Sequence, residues 1–233
     1  MKKKILATAL SIAIFGTAAK AGPVSEFENQ FRQMYGSYHA ALFKTNSGQK
    51  DPSQAAVDEL QAKWKAIAGT YGAAPPPQYV DDSAWPATIA AISGEIEKAG
   101  QEIAAGKLAE AHETLEAVRD EVGRLHERNN IETFSDRMNA YHARMEHVLD
   151  LGADADMKAF LENAAVLAFL ADDLLAAPPS EAAGSAEYDQ LAGAFRQSVE
   201  AFVGAARAGD PAAVKAAVGN LKAPYSKFFL KFG

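Results

Sequence analysis

The sequence predicts an all-α protein built as a tandem pair of up-down-up-down four-helix bundles. Three observations predict it. Apolar residues recur at three-and-four spacing along most of the chain, and no segment alternates with the period of two that a strand requires. Gly, Pro and polar clusters interrupt that pattern after stretches of roughly 20 residues, as in bundles with short loops. Finally, the chain repeats itself without a gap at an offset of 103 residues: Phe31, Tyr38 and His39 recur as Phe134, Tyr141 and His142, and Ala73-Ala74-Pro75-Pro76 recurs as Ala176-Ala177-Pro178-Pro179. Trp85 likewise answers Tyr188, Gly106 answers Gly209, and Leu125 answers Phe228. A unit of about 100 residues is too long for a solenoid, whose repeats run roughly 20–50. It is a duplicated domain.

Residues 1–21 stand apart from the fold. Lys2, Lys3 and Lys4 precede an apolar run from Ile5 to Ala18, and Ala19-Lys20-Ala21 is a small-x-small cleavage site. The run is shorter than a membrane span needs, so the segment predicts a cleaved secretory signal and a periplasmic protein with no transmembrane segment left. The first bundle then occupies residues 22–129. Ser25 with Glu28 makes a capping box ahead of the stripe Phe27, Phe31, Met34, Tyr38, Ala41. Asp51 and Pro52 open the second helix, with Val57, Leu60, Trp64, Ile67 and Tyr71 on one face. Beyond the Pro-rich loop, a third helix begins near Ser83 and turns Trp85, Ile89, Ile92 and Ile96 inward. Gly106 marks a tight turn before the fourth, whose stripe is Leu108, Ala111, Leu115, Val118, Val122, Leu125.

The second bundle, residues 130–233, follows the same plan. Its stripes are Phe134, Tyr141, Met145, Val148; Phe160, Leu167, Leu170, Leu174; Leu191, Phe195, Val199, Phe202; and Val214, Val218, Leu221, Tyr225, Phe228. The join at Asn129-Asn130 contains neither Gly nor Pro. It is compatible with a near-rigid connection capped by Thr133 and Asp136, or with one helix running through from bundle to bundle.

Composition excludes several kinds of chemistry. Removing the signal takes four of the 23 basic residues and none of the 30 acidic ones, leaving 19 against 30 and a net charge of −11. No basic cluster exists to neutralise phosphates, which argues against a nucleic-acid partner. There is no cysteine, hence no disulfide, thiolate nucleophile, iron–sulfur cluster or covalent haem. No Glu-x-x-His pair occurs for a di-iron carboxylate site, and no zinc-protease helix, Ser–His–Asp order or phosphate loop appears. The reading is therefore non-enzymatic.

The stretch from Pro75 to Arg128 carries a Pro-Pro loop after helix two, a turn at Gly106-Lys107, a Glu110-Ala111 step and a terminal Arg124-Leu125-His126-Glu127-Arg128. In these features it resembles the soluble periplasmic b-type cytochromes and, more distantly, the cytochromes c-prime, four-helix bundles that hold haem between their first and fourth helices. The resemblance implies non-covalent haem b, with His126 matching the family's histidine ligand near the end of helix four and Met34 its methionine on helix one. The second copy departs from it, with Phe229 at the place of His126 and Arg137 at that of Met34.

Other candidate ligands come from the residues themselves. Met138, His142, Met145 and Glu146 stand at i, i+4, i+7 and i+8 on one helix. Thioethers with imidazole suit Cu(I), while His with Glu suits Fe(II), Zn(II) or Cu(II); the bland alternative makes the methionines core. His39 and His142 each follow a core Tyr and would converge on one ion if the bundles met symmetrically. His39 and His112 fall at a similar height in the first bundle. The expected function is carriage, storage or electron transfer with a copper or iron ion or haem, in contact with a periplasmic protein partner. The alternative is a metal-free periplasmic interaction or scaffold module.

Overall fold

The computed structural model describes residues 22–151 and 156–233; the expected signal segment, Met1–Ala21, lies outside the described residues. Every regular element among the described residues is helical: α1 (Pro23–Asn46), α2 (Lys50–Tyr71), α3 (Trp85–Ala104), α4 (Leu108–Arg128), α5 (Phe134–Asp150), α6 (Met157–Ala176), α7 (Ala186–Ala208), α8 (Pro211–Gly219) and α9 (Lys222–Phe232). None of these helices is long and apolar enough to cross a membrane. The all-α expectation holds.

Packing sorts the helices into two sets. In the first, α1 pairs with α2 and with α4, and α3 lies against α2 and α4. In the second, α7 packs on α6, α8 and α9, while α5 packs chiefly on α6. One buried cluster runs from Phe27 to Leu125 and the other from Met138 to Phe232, each formed by the expected stripes. Local structure repeats with the sequence. Single 3-10 turns at Pro77–Tyr79 and Ser180–Ala182 follow the two Pro-Pro loops, and Gly106 and Gly209 both take left-handed backbone to end the third helix of each set.

Three expectations fail for identifiable reasons. The Ser25–Glu28 capping box does not form, because α1 begins two residues earlier at Pro23, whose fixed φ suits a first helical position. α4 does not run into α5: Asn130 adopts φ 53° and reverses the chain, and Thr133 with Asp136 then makes the expected capping box. The fourth helix of the second set is broken into α8 and α9. Pro224 has no N–H for the carbonyl of Asn220 and would clash with it in a continuous helix. The chain tightens there into i→i+3 bonds, Asn220 to Ala217 (3.0 Å) and Leu221 to Val218 (3.1 Å). The stripe from Val214 to Phe228 still faces the core.

Candidate functional site

The two sets meet along a seam formed by α1 and α4 on one side and α5 and α9 on the other. Its anchor is Asp136, the third residue of α5. That carboxylate accepts from the Thr133 backbone N–H and hydroxyl, both at 2.7 Å, and from His126 Nδ1 at 2.8 Å. Burial pushes the Asp136 carboxyl up, but the bonds from His126 and Thr133 outweigh it and hold the pKa below the ordinary value. One side chain thus caps α5 and ties it to the end of α4. Asp136→Ala is expected to cost about 2–3 kcal/mol in urea unfolding, a lost cap plus an unpaired buried imidazole. Arg32, by contrast, bridges to Ser180 (3.0 Å) and Glu181 (3.2 Å) in the open, so its removal should change little.

Along the seam runs a file of rings. His39 lies on Phe229 at 4.1 Å, Phe229 stacks on Tyr225 at 5.7 Å, and Tyr225 stacks on His142 at 5.3 Å with only 6° between planes. His39 and His142 therefore do not converge on one ion; two aromatic rings separate them. His39 is 1% exposed, its Nε2 has no hydrogen-bond partner, and burial alone lowers its pKa to about 3. Nor does it pair with His112. His112 Nδ1 meets α1 at Thr45 Oγ1 (3.2 Å), six residues and about 9 Å of helix beyond His39.

The Met/His cluster is divided by helix geometry. Met138, Tyr141, Met145 and Val148 form the stripe that faces the second core, and both methionines are fully buried in it. His142 and Glu146 lie roughly 80–120° around the helix from the middle of that stripe, which turns them to the seam. The haem pair fares no better. Met34 is enclosed in the first core with Tyr38, Leu115, Val118 and Val122, and it lines none of the three cavities along the seam. His126 is itself only 4% exposed and packs against Phe31, with ring centroids 6.0 Å apart. Met34 and His126 therefore share no cavity along the seam.

What the seam does assemble is a pocket of about 350 Å³ in which His112 and Glu116 from α4 face His142 and Glu146 from α5, with Arg119 and Lys222 on its walls. It opens into a wider groove of about 940 Å³ carrying Asp120, Glu127, Glu132 and Asp136. No family model, curated protein or solved structure matches this chain. The pocket's chemistry must therefore be read from its own residues.

His142 Nε2 stands 3.2 Å from a Glu146 oxygen that also receives Lys222 Nζ at 3.0 Å. Burial lowers the His142 pKa against the pull of Glu146. Burial likewise raises Glu146, but the Lys222 ammonium more than offsets it. On the opposite wall the Thr45 hydroxyl is within 2.9 Å of the carbonyls of Ala41 and Leu42. Once it donates there, it can only accept from His112 Nδ1. The His112 Nε2 lone pair is then left beside Glu116, 3.8 Å away. Glu116 also meets Arg119 at 3.5 Å. Among the described residues no three His, Asp or Glu side chains stand close enough to form a ready-made metal cluster.

Sequence reasoning singled out His112, His142 and Glu146, placed Tyr225 only in a core stripe, and missed Glu116, Arg119 and Lys222. One signal was available: His-x-x-x-Glu occurs at His112–Glu116 and again at His142–Glu146. Lys222 had none, because it arrives on a helix whose start is set by the Pro224 break.

Proposed function

We propose that this chain is an exported, non-enzymatic helical-bundle protein that carries or stores a divalent transition-metal ion at the seam between its two helix sets. The observation that carries the reading is the pair of His-x-x-x-Glu couples facing each other across one pocket. Two imidazoles and two carboxylates are the donor set of Zn(II), Cu(II) or Fe(II), not of Cu(I), whose preferred thioethers are sealed in the core. Carboxylates dominate the adjoining groove, which favours cations. Lys222 and Arg119 neutralise Glu146 and Glu116 in the ion-free protein. An incoming dication replaces these ammonium and guanidinium partners and gathers His112 and His142 from the two walls.

Because the ligands must be gathered, affinity should be about micromolar. Titration with Zn(II), Cu(II) and Fe(II) should show one ion per chain, with binding at least tenfold weaker in His112→Ala and in His142→Ala and unchanged in Met138→Leu. Binding should also fade at acid pH, where a proton competes with the ion for His142, and burial moves that competition below the pH at which free imidazole titrates. No ion bound at 10 µM (about the proposed affinity), or affinity unaffected by both histidine variants, overturns the proposal. The metal-free interaction module would then be the better reading, and the exposed Leu161 and Phe169 on α6 supply a surface for it.

A further inference from the structure

A second cavity lies within the second helix set. It measures about 640 Å³ and is bounded by Val148 and Leu149 of α5, Met157 and Phe160 of α6, and Val214 and Val218 of α8. Pockets that enclose small molecules commonly have this volume and this apolar character. Two charged groups stand at its rim. Asp156 is occupied in capping α6, accepting from the Ala159 N–H at 2.7 Å. Lys215 is exposed and makes no ion pair among the described residues.

Bundle geometry alone does not demand this cavity, as the first set shows at the same offset. There the places of Val148 and Lys215 are held by Thr45 and His112, whose side chains join at 3.2 Å and close α1 onto α4. The places of Leu149 and Met157 are held by Asn46 and Gln54. In the second set the polar clasp is missing, two polar side chains have become large apolar ones, and the fourth helix stops short at Gly219. The result is an apolar recess between α5 and α8 with the exposed Lys215 ammonium at its mouth.

We propose that this recess binds a single-chain anionic amphiphile of the fatty-acid class, its hydrocarbon tail among Val148, Leu149, Met157, Phe160 and Val214 and its carboxylate at Lys215. An apolar wall selects the tail, and Lys215, the one basic residue among the described residues lining the recess, selects the sign of the head. Each methylene taken from water into the recess should tighten binding about fourfold until the space is filled. The site is independent of the seam pocket and of any metal.

The test is calorimetric titration of chelator-treated protein with octanoate, decanoate and dodecanoate, each below its micelle concentration. Dodecanoate should bind saturably, one per chain, and affinity should climb steeply along the series. Lys215→Glu should weaken dodecanoate at least fivefold and leave dodecanol unchanged. The pair Leu149→Asn and Met157→Gln, which writes in the first set's own residues at half-buried positions, should abolish binding while the protein still unfolds cooperatively, with a modestly lower thermal midpoint because both side chains pack on the core. Absence of saturable binding, equal affinity for dodecyltrimethylammonium, or full binding by the double variant overturns the proposal. His142→Ala should have no effect; a loss there would place the amphiphile at the seam and also overturn it.

Discussion

Trp85→Ala should destabilise the first helix set by about 3–5 kcal/mol, the range for truncating a fully enclosed large aromatic. Trp85 opens α3 with 1% of its surface exposed. Its ring stacks on Tyr79 at 5.1 Å and meets the edge of Phe27 at 6.1 Å, so it joins the turn after α2 to the start of α1. The indole N–H donates to the Tyr71 carbonyl at the end of α2 (2.8 Å), satisfying one of the acceptors a helix end leaves open. Alanine removes the stacking, leaves that carbonyl without its donor and opens a cavity that three elements cannot jointly collapse. Trp85→Phe keeps much of the packing and should cost about 1–2 kcal/mol, near the value of the lost hydrogen bond. Phe169→Ala, at a position 69% exposed, should stay within about 0.5 kcal/mol of wild type. Urea unfolding of the three variants checks the ranking, and near-equal effects of Trp85→Ala and Phe169→Ala would contradict it.

The second large effect is on acid stability and centres on His39. Burial holds its folded pKa at about 3, whereas the unfolded chain titrates near the ordinary value of about 6.5. Between those values the unfolded state binds a proton that the folded state refuses. Stability therefore falls as pH drops through this window, by about 1.4 kcal/mol per unit and by several kcal/mol in all. His142, also shifted down by burial, adds slope of the same sign. Asp136 acts lower: its depressed pKa contributes stability that is lost only below about pH 4. His39→Leu should be close to neutral at pH 7, since Nε2 has no partner to lose. It should markedly flatten the decline between pH 6.5 and 4. Unfolding free energies of both proteins at pH 7, 6, 5 and 4.5 provide the check, and identical slopes would refute the role given to His39.

The elements differ in how far they could be read in advance. Each helix stripe from Phe27 to Phe228 was legible, because a residue's place on a 3.6-residue spiral depends only on its own neighbours. The Gly106 turn and the Thr133–Asp136 cap are equally local. Pro224 is a local signal against a continuous last helix, but the stripe Val214, Val218, Leu221, Tyr225, Phe228 runs through it and by itself reads as one helix. At the site, spacing placed Met138, His142, Met145 and Glu146 on one broad face. It did not say that a core edge would run between them. That edge depends on where α9 and α4 lie against α5, which is a matter of tertiary packing.

By itself, then, the sequence determined the all-α class, the helix stripes and the 103-residue offset, since these follow from local periodicity and from comparing the chain with itself. Only the tertiary structure decided that His39 ends as a buried imidazole under Phe229 with its Nε2 unpartnered, that His142 looks across at His112, and that Met138 is core. A helical face is about 100° wide and is defined by its own residues. Which neighbour covers its margin is settled by how the two helix sets meet, and at the margin lie His39, His112 and His142.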